Sequence, residues 1–144
     1  PYLKGSIDIE KRIRNLNIKN LFLTSIDFLS LFNHINHICF KTIIVLFPDP
    51  WPKLKHKKRR LINEDFIKKL KVISNKKTKV LISTDDYDYL NQILYTFFST
   101  KTFKLSTIFL TQNLVSTFDI PLTKYFEKAK TNKIKPFFLL YQKN

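Results

Sequence analysis

One acidic residue of this chain stands between two prolines and next to the only tryptophan, in the segment Phe47-Pro48-Asp49-Pro50-Trp51-Pro52-Lys53 (the proline loop, residues 47–53). Proline fixes its own φ angle and pushes the residue before it toward extended conformations. Three residues of the loop precede a proline, so the segment cannot be an α-helix and has little freedom as a loop. A rigid loop with one carboxylate and one large aromatic ring is suited to present a flat polar ligand.

A basic run follows the proline loop at once and could bind phosphates and position a folded RNA. Bare basic runs are unspecific, because they also suit a nuclear localisation signal or a solvated face. The net charge of +15, with 26 Lys and Arg against 11 Asp and Glu, makes a polyanion the leading partner. AT-rich codons alone would raise the lysine count, so the local cluster is better evidence than the global charge. The run consists of Lys53, Lys55, Lys57, Lys58, Arg59 and Arg60.

Apolar patterns predict the elements that must position these residues. Strands are predicted at 21–23, 42–47, 79–83, 103–110 and 137–141, and helices at 6–17, 28–32, 64–73 and around 90–97. Short apolar strands that alternate with amphipathic helices predict an α/β domain with a mostly parallel sheet. The 144 residues are enough for one such domain.

Three acidic residues follow predicted strands, at the sheet edge where parallel sheets bind ligands. Asp27 follows the first strand, Asp49 the second and Asp85 the third, so we expect one cleft to hold all three. Helix capping is an equal alternative for Asp27 and Asp85 taken singly. It does not suit Asp49, because two prolines follow it and no helix is expected to begin for about ten residues. The alternative for the proline loop is a structural turn with Trp51 packed in the core.

Composition argues against several other classes of protein. Gly5 is the only glycine, so the chain as given holds no Gly-rich loop for a phosphate or cofactor. Cys39 is the only cysteine, and the three histidines lack partners at metal-ligand spacing, so no metal site is expected. No apolar run is long enough to span a membrane, and no secretory signal is visible. We therefore expect a cytoplasmic protein without a membrane partner.

The proline loop and its basic run resemble, almost residue for residue, the signature of the bacterial tRNA (guanine-N7-)-methyltransferases of the TrmB type. The segment Leu81-Ile82-Ser83-Thr84-Asp85 is similar to the family's strand that ends in Thr-Asp. The segment Thr123-Lys124-Tyr125-Phe126-Glu127-Lys128 is similar to its C-terminal substrate motif, with Phe126 inserted before the acid. The stretch from Asn20 to Asp27 is similar to the strand and acid that contact S-adenosylmethionine.

This resemblance implies a Rossmann-like class I S-adenosylmethionine-dependent methyltransferase sheet that lacks its first strand or strands, mostly parallel with an antiparallel C-terminal edge. It implies methyl transfer from S-adenosylmethionine to N7 of a variable-loop guanosine of tRNA, by a monomer. Asp49 would be the catalytic acid and Asp27 the cofactor contact. The substrate contacts would be Lys53, Asp85, Thr123, Lys124, Tyr125, Phe126 and Glu127, and the RNA-contacting run Lys55, Lys57, Lys58, Arg59 and Arg60.

A guanine substrate would suit a single carboxylate. The Watson–Crick edge of guanine offers two donors, N1–H and the exocyclic NH2, which one carboxylate can accept together. N7 on the opposite edge is an acceptor with an available lone pair, so its methylation needs no strong base. The product ring gains positive charge, which a nearby carboxylate stabilises. Positioning would thus be the main contribution of the protein to the rate.

The family's first strand and Gly-rich cofactor loop have no counterpart in this sequence. We therefore expect the C-terminal two thirds of a methyltransferase, as one domain over residues 1–144, with weak binding of S-adenosylmethionine. One alternative is a non-catalytic RNA-binding remnant of such an enzyme. Another is a small basic nucleic-acid-associated protein whose proline loop is only structural. The Thr-Asp and Thr-Lys-Tyr motifs argue against the last alternative.

Overall fold

The computed structural model describes residues 3–110, residue 131 and residues 136–144, and the chain divides into two compact units, Pro1–Asn36 and His37–Asn144. In the first unit, helix α1 spans Leu3–Asn15 and helix α2 spans Phe28–Ile35. The strand predicted at 21–23 is wrong, because this segment is irregular and Phe22 is 92% exposed. An apolar run forms a strand only where a neighbouring strand satisfies its backbone, and none pairs with it among the described residues.

The second unit carries the sheet. Its elements are β1 (Phe40–Leu46), a 3₁₀ helix (Leu54–Arg59), α3 (Glu64–Val72), β2 (Ser74–Thr84), α4 (Tyr87–Thr100), β3 (Phe103–Leu110) and β4 (Phe137–Lys143). The four strands and two α-helices predicted for this unit are confirmed, with ends that differ by a few residues. The 3₁₀ helix was not expected: it begins five residues after Asp49, where the two prolines argued against any nearby helix. A 3₁₀ helix can begin there because its first residue, Leu54, lies beyond the last proline of the loop.

The sheet has the strand order β1-β2-β4-β3. Strands β1 and β2 are parallel, whereas β4 is antiparallel to both of its neighbours, β2 and β3. Three strands therefore run in one direction and β4 alone is reversed. The prediction of an α/β sheet that is mostly parallel, with antiparallel pairing toward its C-terminal edge, is confirmed. Strand β4 is inserted between β2 and β3.

The core of this unit lies between the sheet and the helices α3 and α4, which contact each other and β2. Each helix starts at a side chain that accepts a backbone hydrogen bond, as expected of an N-cap. Asn63 accepts from the N–H of Phe66 (2.9 Å), and Asp86 accepts from the N–H of Tyr89 (2.7 Å). The buried apolar side chains are Ile62, Phe66, Ile67, Leu70, Ile73, Val80, Leu81, Ile82, Tyr89, Leu90, Ile93, Phe97, Phe103, Phe138, Leu139, Leu140 and Tyr141.

Tyr89 joins α4 to the chain segment that precedes α3. Its side chain is completely buried, and its hydroxyl oxygen accepts a hydrogen bond from the N–H of Ile62 (2.9 Å). Burial raises the pKa of Tyr89 above its ordinary value, so the hydroxyl stays neutral. This hydroxyl satisfies a backbone donor that water does not reach.

We expect Tyr89→Phe to lower the free energy of unfolding by about 1–3 kcal/mol, because it leaves the buried N–H of Ile62 without its acceptor. Urea titration followed by circular dichroism measures this loss as a lower midpoint at constant slope. Tyr95→Phe is the matched control, since Tyr95 lies on the same helix and is 70% exposed. Equal midpoints for the two variants would show that the Tyr89 hydroxyl contributes nothing.

Candidate functional site

Asp49 and Asp85 lie at the same edge of the sheet. Strands β1 and β2 are adjacent and parallel, and Leu46, the last residue of β1, pairs with Ser83 near the end of β2. Asp49 follows three residues after Leu46, and Asp85 follows β2 directly; both side chains are exposed. The carboxyl ends of adjacent strands thus present two carboxylates on neighbouring loops.

The backbone of the proline loop departs from the extended form that its prolines predict. Phe47 and Trp51 have positive φ angles of 48° and 41°, which cost non-glycine residues about 1–3 kcal/mol each. Hydrogen bonds hold both positions. The N–H of Phe47 donates to the carbonyl (3.1 Å) and the hydroxyl (3.0 Å) of Ser83, and the N–H of Trp51 donates to Oδ1 of Asp49 (3.0 Å). The prolines restrict the loop, but these contacts decide its shape.

Asp49 has both a structural contact and exposed carboxylate surface. Its Oδ1 closes the turn to Trp51, whereas Oδ2 accepts no hydrogen bond from the residues that the structure describes. Its charge also reaches the buried interior: burial is the main cause of the raised pKa of Tyr89, and the Asp49 carboxylate adds to it. Asp49 therefore combines a turn-closing contact with an exposed side chain.

Trp51 packs against the basic run and is not part of the core, so the alternative of a core tryptophan is wrong. The ring is half-buried, and the His56 ring meets it edge-on at 5.5 Å between centroids. The Arg59 guanidinium lies 5.0 Å from the ring centroid, within cation–π range. The 3₁₀ helix therefore folds the basic run back onto the proline loop.

Arg60 does not belong to the RNA-contacting run, which corrects the prediction. Only 2% of the residue is exposed. Its Nε donates to the carbonyl of Pro50 (2.7 Å), and its two terminal nitrogens donate to Gln92 Oε1 (2.7 Å) and Asp88 Oδ2 (2.6 Å). A guanidinium that is buried and bonded in this way cannot reach a phosphate. The sequence feature that could have indicated this burial is the position of Arg60 at the end of the run, next to the apolar pair Leu61-Ile62.

Lys57 also has a partner within the protein. Its Nζ lies 2.8 Å from Asp88 Oδ2, and the hydrogen bonds from Lys57 and then Arg60 hold the pKa of Asp88 below its ordinary value. This ion pair neutralises part of the run. The exposed members, which we call the exposed basic surface, are Lys53, Lys55, Lys58 and Arg59.

The capping alternative holds for Asp27 but not for Asp85. Asp27 is the N-cap of α2 and accepts from the N–H groups of Leu29 (2.9 Å) and Ser30 (3.1 Å) and from the Ser30 hydroxyl (2.6 Å). These bonds, first that from the Ser30 hydroxyl, lower the pKa of Asp27. In α4 the cap is Asp86, which leaves Asp85 exposed at the strand end.

The described residues do not fit a complete S-adenosylmethionine site. Gly5, the only glycine, lies inside α1, where it forms no turn that a cofactor could approach closely. Asp27, the predicted cofactor contact, uses its carboxylate to cap α2. Its contact with a cofactor stays a prediction, and the residue belongs to the first of the two units, Pro1–Asn36.

Other predicted site residues lie outside the part of the chain that the structure describes: Thr123, Lys124, Tyr125, Phe126 and Glu127. Among residues 3–110, 131 and 136–144, no group of three or more His, Cys, Asp or Glu side chains could hold a metal ion. No helix in the same part of the chain is long and apolar enough to cross a membrane.

The sheet resembles that of a solved methyltransferase. An rRNA methylase from Streptococcus thermophilus superposes with a TM-score of 0.56 over 93% of this chain and 64% of that chain, at 14% sequence identity. At this identity the likeness concerns the fold alone. The fold is that of the class I methyltransferases, as predicted.

Curated relatives are similar to this chain in sequence. This chain is 38% identical over 93 residues to the tRNA (guanine-N(7)-)-methyltransferase of Wolbachia pipientis wMel. The matched region covers 65% of this chain and 42% of that protein. It is 26% identical over 139 residues to the enzyme of the same name from Caulobacter vibrioides, over 96% of this chain and 61% of that protein. The chain thus spans about two fifths to three fifths of the length of these relatives.

A family model also covers almost the whole chain. The model Methyltransf_4, described as "Putative methyltransferase", matches residues 2–139. The matched region includes the proline loop, the basic run and the strands β1 and β2, which Asp49 and Asp85 follow. Because this match covers almost the whole chain, the chain belongs to the Methyltransf_4 family of methyltransferases.

Proposed function

We propose that this protein is part of a tRNA (guanine-N7-)-methyltransferase, in which the proline loop holds the target guanine and the exposed basic surface binds the tRNA. One observation carries the proposal: Asp49 stands on a loop fixed at both ends, at the carboxyl edge of the sheet and next to four exposed cations. Relatives of this name are 26–38% identical to the chain. The setting we propose is the cytoplasm, where tRNA is modified.

Asp49 would bind the Watson–Crick edge of guanine. Its exposed carboxylate can accept from N1–H and the exocyclic NH2, which leaves N7 on the opposite edge of the ring. The same negative charge favours the positive charge that the ring gains on methylation. Because N7 carries no proton, the loop has to position the base and not deprotonate it. Asp85, exposed on the neighbouring loop, is the second carboxylate that could contact the nucleoside.

The exposed basic surface would position the tRNA. Lys53 is the last residue of the proline loop, and Lys55, Lys58 and Arg59 follow within six residues. Phosphates bound there would lie close to the base held by Asp49. Phosphate contacts set the register and orientation of a nucleic acid without reading its sequence. The cation–π contact between Arg59 and Trp51 couples this surface to the loop.

S-adenosylmethionine is the methyl donor that we propose, since its bound form supplies an electrophilic methyl group to such reactions. The described residues do not form a complete binding site for this cofactor. The roles proposed for Asp49, Asp85 and the exposed basic surface therefore concern the base and the RNA alone. The second candidate is a non-catalytic RNA-binding remnant of such an enzyme, which the family match and the named relatives favour less than the enzyme. In that case the basic surface would bind tRNA while no methyl group is transferred.

We expect Asp49→Ala to lower the single-turnover rate of guanine-N7 methylation at saturating tRNA by roughly 30- to 1,000-fold, or about 2–4 kcal/mol of transition-state stabilisation. Mass spectrometry of nucleosides from the treated tRNA measures the product. The dissociation constant for tRNA should change little, since phosphate contacts supply most of the affinity.

Asp49→Asn separates charge from loop shape. The asparagine oxygen can still accept the N–H of Trp51, whereas its NH2 would face the two donors of guanine. We expect Asn to be nearly as damaging to methylation as Ala. Near-wild-type turnover of both variants would reduce Asp49 to a turn residue, and a wild-type protein that binds tRNA without methylating it would favour the remnant.

Changing Lys53, Lys55 and Lys58 together to Gln should weaken tRNA binding and flatten its dependence on salt. Each lysine that neutralises a phosphate adds roughly 0.7–0.9 to the log–log slope, so the triple variant should reduce the slope by about 2–3. Fluorescence anisotropy with labelled tRNA over a range of KCl concentrations gives the slope.

The matched control for this triple variant removes three lysine charges near the amino end of β2, away from the sheet edge that carries Asp49 and Asp85. Lys76, Lys77 and Lys79 are exposed and precede the carboxyl edge of the strand by several residues. Their replacement by Gln removes the same three charges and should alter the slope much less. Equal slopes for the two triple variants would show that net charge, and not the basic surface, determines binding.

A further inference from the structure

Arg60 differs from the rest of the basic run because it is folded into the protein. Its neighbours Lys58 and Arg59 are exposed, whereas Arg60 is 2% exposed. A buried guanidinium is tolerated where its N–H groups have acceptors. The acceptors here are one backbone carbonyl, one carboxylate and one amide, so the site is built around the shape of this side chain.

These acceptors belong to two segments that flank the candidate site. The carbonyl of Pro50 directly follows Asp49 in the proline loop. Asp88 and Gln92 lie one turn apart in the first half of α4, the helix that begins two residues after Asp85. The guanidinium also lies 4.8 Å from the centroid of the Tyr89 ring. One side chain therefore joins the loop of one candidate acid to the helix that follows the other.

The proline loop needs such an anchor. Two of its residues, Phe47 and Trp51, hold positive φ angles, and conformations of this kind persist only where surrounding contacts enforce them. Pro50 has no N–H, so its carbonyl is the only backbone hydrogen-bonding group that it offers. The bond from Arg60 fixes that carbonyl, and with it the direction in which the Asp49 side chain leaves the loop.

We propose that Arg60 is a positioning residue for guanine-N7 methylation, a role that rests on the proposed function. It holds Asp49 at a fixed place relative to α4 and acts on the base only through Asp49. Lysine could not replace it fully. The planar guanidinium reaches three acceptors in one fork, whereas an ammonium group is a compact charge on a flexible stem.

The test is Arg60→Met, which keeps a long side chain and removes the three hydrogen bonds. Trp51 is the only tryptophan, so its fluorescence reports on the proline loop alone. We expect a higher acrylamide quenching constant for Trp51 and a turnover rate lowered by about 10- to 100-fold, the effect of a misplaced group. The salt slope of tRNA binding should stay at the wild-type value, because Arg60 makes no phosphate contact.

Lys58→Met is the matched control from the same run. Lys58 is exposed and close in sequence, so its loss should lower the salt slope and leave the quenching of Trp51 unchanged. The two variants thus predict opposite patterns. A folded Arg60→Met protein with unchanged Trp51 quenching, or one with a lowered salt slope, would overturn the proposal.

Two further variants keep the test decisive if Arg60→Met does not fold by circular dichroism. Arg60→Lys retains the charge, and Asp88→Asn removes one acceptor charge from a side chain that is 57% exposed. Both variants should raise the acrylamide quenching constant of Trp51. Wild-type quenching constants in both variants would overturn the positioning role. If the wild-type protein methylates no guanine, the proposed function fails, while Trp51 quenching still decides whether Arg60 holds the loop.

Discussion

The structure of the candidate site depends on one buried cation. The guanidinium of Arg60 draws together a loop carbonyl, two polar side chains of α4 and the face of Tyr89. Around it, Gln92 donates to the carbonyl of Ile62 and Tyr89 accepts from the N–H of the same residue. Such a network is favourable only when all of its members are satisfied. The loop, the start of α3 and the start of α4 are therefore fixed together.

Most of the second unit could be predicted from local patterns. Strands β1 and β2 are runs of β-branched and apolar residues, and α3 and α4 carry apolar side chains at helical spacing, so periodicity found them. The run at 21–23 has similar composition, but within the described residues it has no neighbouring strand. Pattern alone could not reveal this, because a strand is stabilised by its partner as much as by its own residues.

The shared sheet edge of Asp49 and Asp85 was predictable, but the contacts around them were not. Strand ends and prolines placed Asp49 and Asp85 at one edge, because parallel strands end together. The roles within the basic run were not predictable. Arg59 and Arg60 are identical in type and adjacent in sequence, yet one lies over Trp51 at the surface and the other is buried. Only the turn of the 3₁₀ helix decides which of them points inward.

The insertion of β4 between β2 and β3 also bears on how this unit is made. In the described sheet, β3 pairs with β4 alone, and β4 is the last of its strands along the chain. A ribosome exposes β1 and β2 early, but β3 has no partner in this sheet until residues 137–143 have emerged. Pairings between distant segments are also slow to form. We therefore expect the pairing of β3 to be the last step that completes the described sheet.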